Sequence, residues 1–462
     1  MRLVVIGGIA AGTKAASRAR RVDPDLEITV YQEEPEISQS ECGLPYLISG
    51  VVEGRDDLVA RTPEEFAEKE VEVLIRHRVE GIDPENKSLT IRHLETDEKF
   101  EDSYDRLIIA TGAKAVLPPI DGADLDGVFA LRFLTDADAI MKYVQEHSPK
   151  KAAIVGGGYI GLEVAENLKE LGMDVTIVEV DDRVANSYGS EAAKRVAEHL
   201  EEKGVDVTTC ERVDEMVGED GRVRAIRFNG KELEAELVIV GIGIKPCVDL
   251  AEEAGAEIGP TGAIRVDKYL KTSLPDVWAA GDCVESLDLV TGEPGWVPLG
   301  DTANQMGRVA GTNAARGSVG ADALQFPGTL GTGVFKVFDL GVAKTGLSEE
   351  GAAEAGFEVV TAALETVDRA GYYPGGGSTF VKLIADEATG RLIGAEIVGA
   401  SADKYVDICA TAIWGRLSYP DLVNLDLAYA PPFGPVLSPI IQAASILANE
   451  FEKKTEGVRA AE

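Results

Sequence analysis

Two segments far apart in the chain repeat one pattern, an aliphatic strand run straight into a glycine turn and a helix. The first is Arg2-Leu3-Val4-Val5-Ile6 followed by Gly7-Gly8-Ile9-Ala10-Ala11-Gly12, with a helix predicted through Arg21 and a second strand over Glu27 to Tyr31. The second is Ala152-Ala153-Ile154-Val155 followed by Gly156-Gly157-Gly158-Tyr159-Ile160-Gly161, with a helix predicted through Leu171 and a strand over Val175 to Val178 that ends in Glu179. Such a start commits each segment to a βαβ unit, and two of them predict two doubly covered, mostly parallel sheets. The glycines let a helix N-terminus approach a pyrophosphate, so each unit reads as a dinucleotide site. In the second unit Gly156, Gly158, Gly161 and Glu179 complete the fingerprint. Glu179, with Asp181 and Asp182 beside it, favours NADH by repelling a 2′-phosphate, while Arg183 keeps NADPH open. In the first unit Ile9 replaces the middle glycine and Gln32 stands where the acid is expected, with Glu33 and Glu34 adjacent.

Between and after these units lie short apolar strands ending in small residues: Leu107 to Ile109 before Ala110-Thr111-Gly112, Leu237 onward to Gly241 and Gly243, and Val277-Trp278-Ala279-Ala280 before Gly281-Asp282. A strand delivering Gly-Asp at its C-terminal end suits a carboxylate aimed at a cofactor polyol. From about Gln325 the pattern changes to alternating stretches such as Phe380 to Ile384 and Leu392 to Val398, then a helix near Ala402 to Trp414, which predicts a separate α+β domain.

The five cysteines fit neither a disulfide framework nor a metal motif, and the four histidines show no metal spacing. Cys42, in Ser38-Gln39-Ser40-Glu41-Cys42-Gly43-Leu44-Pro45-Tyr46, has its next cysteine far away at Cys210. Its oxidised form is therefore expected to be a mixed disulfide with a small external thiol, or a sulfenic acid. Cys409, among Ile408, Ala410 and Ile413 on a predicted helix, reads as core. No apolar run is long enough to span a bilayer, and no signal-peptide pattern precedes the first strand, so a reducing cytoplasm is expected. A formal charge of −35, from 80 acidic against 45 basic residues, argues against nucleic acid or an anionic membrane as partner. The acids are spread along the whole chain, which points to a salt-loving host.

The order of these motifs resembles the pyridine nucleotide-disulfide oxidoreductases along essentially the whole chain. Within them, the single-cysteine segment, Tyr372-Tyr373-Pro374-Gly375 and Tyr429-Ala430-Pro431-Pro432-Phe433 are similar to the coenzyme A disulfide reductases and their NADH oxidase and polysulfide reductase relatives. The resemblance implies two Rossmann-like domains and a C-terminal dimerisation domain: an FAD-binding domain (1–117 and 248–324), an NAD(P)H-binding domain (118–247) and 325–462. It implies FAD on Gly7, Gly8, Gly12, Gln32 or Glu33, Ala110, Thr111, Gly112 and Asp282. The nicotinamide cofactor would lie on Gly156, Gly158, Ile160, Gly161, Glu179 and Gly241, with Tyr159 as an aromatic gate. The implied catalytic residues are Cys42, which can carry coenzyme A as a mixed disulfide, together with Ser38, Tyr373 and Tyr429, the tyrosines coming from the partner of a homodimer. Arg18, Arg21 and Arg61 would meet substrate phosphates. Leu47 stands where the glutathione reductase branch has its second cysteine, and Ala10 where peroxidase-type relatives place a histidine. The leading activity is NAD(P)H-dependent reduction of a small-thiol disulfide or persulfide; the alternatives are oxygen reduction and a redox sensor. For that chemistry Cys42, close to a helix N-terminus and, by the resemblance, to an oxidised flavin, is expected to ionise near neutral pH.

Overall fold

The computed structural model describes residues 1–317 and 320–461; residues 318–319 and 462, which fall within the ranges above, lie outside the described residues. The first parallel sheet runs, in spatial order, Val277–Ala279, Arg106–Ile109, Arg2–Ile6, Glu27–Tyr31 and Val71–Leu74. The second runs Asp206–Thr208, Asp174–Val178, Lys151–Val155, Leu237–Val240 and Val128–Ala130. Every pairing in both sheets is parallel. Their central strands are buried on both faces, which is why they read as continuous aliphatic runs.

The duplication goes further than the sequence suggested. Each parallel sheet is accompanied by a three-stranded antiparallel meander, His77–Asp83, Ser88–His93 and Lys99–Ser103 in the first half, Val213–Glu219, Arg222–Phe228 and Lys231–Glu234 in the second. The chain passes between the halves twice, and the two passages, Ala113–Ala115 and Ile244–Pro246, pair as antiparallel strands.

The helix Ala10–Val22 packs closely against Gly300–Arg316, because Gly307 and Gly311 of the latter face the backbone of Ala11 and Ala15, where a methyl would overlap. This contact brings Gly281, whose position also touches Ala11, and hence Asp282, to the N-terminal end of the first helix.

The C-terminal part is a five-stranded antiparallel sheet ordered Gly333–Val337, Leu340–Gly346, Leu392–Gly399, Ser378–Asp386 and Val359–Val367. Alternate residues of its inner strands enter different cores. Phe380 and Val398 join Leu162 and Tyr188 of the second half, while Val381, Leu383 and Ile397 face the helices Ala402–Trp414 and Pro439–Ala461. The helix Ala402–Trp414 falls where the sequence places it, with Cys409 fully buried. Among the described residues, no helix is long and apolar enough to cross a membrane.

Candidate active site

The two glycine turns are geometric copies. Gly7 (φ +102°) and Gly156 (φ +105°) both lie in a region closed to side chains, and a methyl on either would run into a carbonyl of the neighbouring strand's end, Ala110 for the first and Gly241 for the second. Gly12 and Gly161 in turn lie against the carbonyls of Gly7 and Gly156. The second glycine of each turn donates its N–H to the residue at the end of the next strand: Gly8 to Gln32 Oε1 at 2.7 Å, and Gly157 to Glu179 Oε2 at 2.6 Å. Gln32 and Glu179 are both buried and turned onto their own glycine turns, and Glu33 pairs with Arg78. Ile9 sits at φ −104° and its counterpart Gly158 at φ −80° with open space around its α-carbon, so replacing the middle glycine leaves the turn intact. Neither helix start carries a side-chain cap, so the first-turn amides are available to a pyrophosphate, and the turns fit dinucleotides.

Ser38 joins the first turn through its backbone, its N–H donating to Gly8 O at 2.8 Å. Thr111 Oγ1 donates to the carbonyl of Cys247 at 2.7 Å, and Cys247 N–H donates to Gly112 O at 2.9 Å, fastening the Ala110–Gly112 turn to the interdomain passage.

Cys42 lies in a short turn, Glu41–Gly43, before the helix Leu44–Ser49. That helix rests on Tyr159–Glu170 of the second half: Tyr46 OH donates to Glu163 Oε1 at 3.1 Å and Ser49 Oγ bonds Asn167 Oδ1 at 2.5 Å. The cysteine is reachable by solvent, yet burial among these neighbours is the main cause holding its thiol above the ordinary value of 9.0, followed by the charges of Glu163 and Glu41, with Arg132 pulling the other way. The polypeptide alone therefore does not supply the easy ionisation expected from the sequence. The helix that follows it is only six residues long, and burial together with the neighbouring carboxylates raises the thiol.

Those carboxyls are themselves perturbed. Glu41 is pushed up to about 7 by burial, against the pull of Arg132, and Glu163 also to about 7 by burial, against its hydrogen bond from Tyr46. Arg132 Nη2 bridges Asp282 Oδ2 at 2.8 Å and Glu41 Oε2 at 3.1 Å, linking the Gly-Asp strand end to the cysteine turn. Sequence reasoning missed Arg132, Glu41 and Glu163. Glu163 was within reach, since it stands one helical turn after Tyr159, whereas nothing in the sequence around Arg132 marks it.

Tyr159 packs edge-on against Phe335 and Tyr188, with ring centroids 4.8 and 6.0 Å away. Ile160 follows it in the first turn of the same helix. Tyr373 and Tyr429 lie on an exposed part of the C-terminal domain, and among the described residues no hydrogen bond joins either to Cys42. Tyr429 instead neighbours Tyr372, which raises its phenol. Arg18 and Arg21 line one open cavity of about 550 Å³ together with Arg106 and Arg316; Arg61 is elsewhere, 6.0 Å over the ring of Phe66.

Two copies of a dinucleotide-binding unit meeting beside one cysteine that has no cysteine partner are the frame of a nicotinamide-dependent oxidoreductase. The chain belongs to the pyridine nucleotide-disulphide oxidoreductase family, whose model matches residues 1–307, with the family's dimerisation domain at 333–439. It is 37% identical to a Methanocaldococcus jannaschii NADH oxidase over 98% of this chain and 100% of that protein. It is 36% identical to a Pyrococcus horikoshii NAD(P)H coenzyme A polysulfide/persulfide reductase over 96% of this chain and 98% of that one. Among solved structures, an NAD-dependent persulfide reductase from A. fulgidus superposes with a TM-score of 0.94 at 43% identity, covering 99% of this chain and 84% of that one. Membership of the family implies FAD and NAD(P)H as cofactors.

Proposed function

We propose that the protein uses NADH, or NADPH, to reduce coenzyme A disulfide or a related small-thiol disulfide or persulfide through Cys42. The observation that carries this reading is a solvent-reachable cysteine with no cysteine partner, placed where the first glycine turn, the Gly-Asp strand end and the nicotinamide-side helix converge. The first unit, with Gly7, Gly8, Gly12, Gln32, Thr111, Gly112 and Asp282, holds FAD; the second, with Gly156, Gly158, Gly161 and Glu179, holds the nicotinamide cofactor. When bound, a flavin takes two electrons from a nicotinamide and supplies them to sulfur.

The chain's own groups do the rest. Ionised Cys42 attacks one sulfur of the incoming disulfide, so one S–S bond forms as another breaks and one thiolate departs. A phenol of Tyr429 or Tyr373, contributed by the other subunit of a homodimer, protonates that thiolate. Two electrons and a second proton then release the other thiol and restore Cys42, for a sum of one disulfide, one NADH and one proton giving two thiols and NAD⁺. Arg18 and Arg21, in the arginine-lined cavity, suit the phosphates of a coenzyme A-type substrate. A cytoplasmic homodimer in a salt-rich cell fits this assignment.

Oxygen reduction is the second reading, favoured by the naming of the M. jannaschii relative. Intact mass before and after NADH, alongside Cys42→Ser, separates the two. The proposal expects an adduct on Cys42 that leaves on reduction, and loss of disulfide turnover in the variant. A bare or singly oxygenated Cys42, with NADH oxidation that the variant retains, establishes the oxidase instead.

A further inference from the structure

The loop Asp368–Gly377 joins the strands Val359–Val367 and Ser378–Asp386 and carries Tyr372 and Tyr373 at its tip. With Gly371, Gly375, Gly376 and Gly377 in it, the loop has little conformational preference of its own, so something outside must hold it. Asp368 does this from its base. The side chain is only 1% exposed. The backbone N–H of Asp368 donates to Gly377 O at 3.0 Å, and Oδ1 accepts from Gly377 N–H at 2.8 Å, so both ends of the loop close on one residue. Arg369 Nη2 donates to Oδ2 at 2.8 Å, and Ser401 Oγ donates to the same oxygen at 3.2 Å. Tyr405 OH donates to the Asp368 carbonyl at 3.1 Å.

Ser401 and Tyr405 belong to the start of the helix Ala402–Trp414, and that helix end also grips the second tyrosine segment, through Lys404 Nζ donating to Phe433 O at 2.7 Å. The two segments touch each other as well: Ala370 N–H donates to Pro431 O at 3.4 Å, and Tyr372 is near enough to Tyr429 to raise its phenol. Burial alone would raise the Asp368 carboxyl, but the bonds from Arg369, Gly377 and Ser401 hold it below its ordinary value, so the clamp stays ionised.

We propose that Asp368 is a positioning residue that fixes Tyr372, Tyr373 and Tyr429 as one preassembled surface, delivered as a unit to the partner subunit's Cys42. This rests on the reading of the tyrosines given above. A phenol that must meet a departing thiolate gains from being held in place, because a misplacement of about 1 Å far from the chemistry can cost on the order of a hundredfold in rate.

The test compares Asp368→Asn, Tyr405→Phe, Tyr373→Phe and Tyr429→Phe in the flavin-loaded enzyme with coenzyme A disulfide as substrate. The Asp368→Asn change is not expected to disturb the other half-reaction, so single-turnover flavin reduction by NADH stays within about twofold of the parent. Disulfide turnover falls at least tenfold through kcat, the alkaline limb of its pH profile moves, and chymotrypsin cuts after Tyr372 sooner. Tyr405→Phe, which removes one bond and keeps the ring, moves all three readouts the same way by less, and decides the matter if Asp368→Asn does not fold. Turnover and proteolysis both unchanged in a folded Asp368→Asn overturn the clamp. Full turnover in both Tyr373→Phe and Tyr429→Phe, with the loop still opened by Asp368→Asn, overturns the role given to the tyrosines and with it the catalytic purpose of the clamp.

Discussion

At the scale of single residues, Cys42 stands between two carboxyls that titrate near the pH at which it would work. Glu41 and Glu163 are both raised to about 7 by burial, and each, once ionised, makes the neighbouring thiolate costlier. Burial, Glu163 and Glu41 together hold the thiol above its ordinary 9.0, so the polypeptide alone favours the protonated form at pH 7. Iodoacetamide labelling of Cys42 in the flavin-free protein with its thiols reduced, followed against pH, should therefore show a midpoint above the ordinary 9.0. Glu163→Gln removes the larger of the two charges acting on the sulfur, and the midpoint should fall, with faster labelling at pH 7. A parent midpoint at or below neutrality would contradict the electrostatics. Little of this was legible beforehand. The cysteine announces itself by its setting of polar residues, glycine and proline, but its upward pKa shift comes from burial first and then from Glu163, against the pull of Arg132, and the fold brings both of these side chains in from the other half of the chain.

Among elements, the strand–turn–helix units were the most readable part, because their aliphatic runs and glycines answer to one steric requirement. The predicted strand Glu27 to Tyr31 and the helix Ala402–Trp414 match the structure residue for residue, and the predicted helix end at Arg21 falls one short of Val22. The antiparallel meanders were not read. Ser88–His93 does alternate, with Leu89 and Ile91 buried, but runs this short say nothing about which strands pair. The turns also yield a paired prediction. A methyl on Gly161 overlaps the Gly156 carbonyl, whereas one on Gly158 meets open space, as Ile9 already does in the first unit. Gly161→Ala should cost roughly 1–3 kcal/mol of stability by overpacking, and Gly158→Ala should stay within about 0.5 kcal/mol. Thermal and urea unfolding of the two variants side by side is the check, and equal losses would mean that the two turns are not the copies they look to be.

Over the whole molecule, the excess of 80 acidic over 45 basic residues sets two opposing responses to salt. Surface ion pairs such as Arg265 with Glu257 and Lys151 with Glu234 weaken on screening, but exposed pairs are worth only about 0–1 kcal/mol each. Repulsion among the unpaired carboxylates is relieved by the same screening, whose length falls from about 10 Å at 0.1 M to about 3 Å at 1 M. With so lopsided a charge the relief wins, so the unfolding midpoint should climb as KCl is raised from low to molar concentrations; a maximum in dilute buffer would refute a salt-adapted surface. The substrate should feel salt differently. Arg18, Arg21, Arg106 and Arg316 outnumber the one acid, Asp23, around one cavity on this negative surface, and the proposed substrate, an anionic disulfide bearing phosphates, would be drawn there against a repulsive background. Neutralising Arg18 and Arg21 together should raise KM for coenzyme A disulfide by about tenfold at low salt, leave KM for NADH unchanged, and matter progressively less as KCl increases, because screening removes the attraction that the arginines supply. A KM that rises equally at every salt concentration would mean that these side chains act through local shape rather than charge.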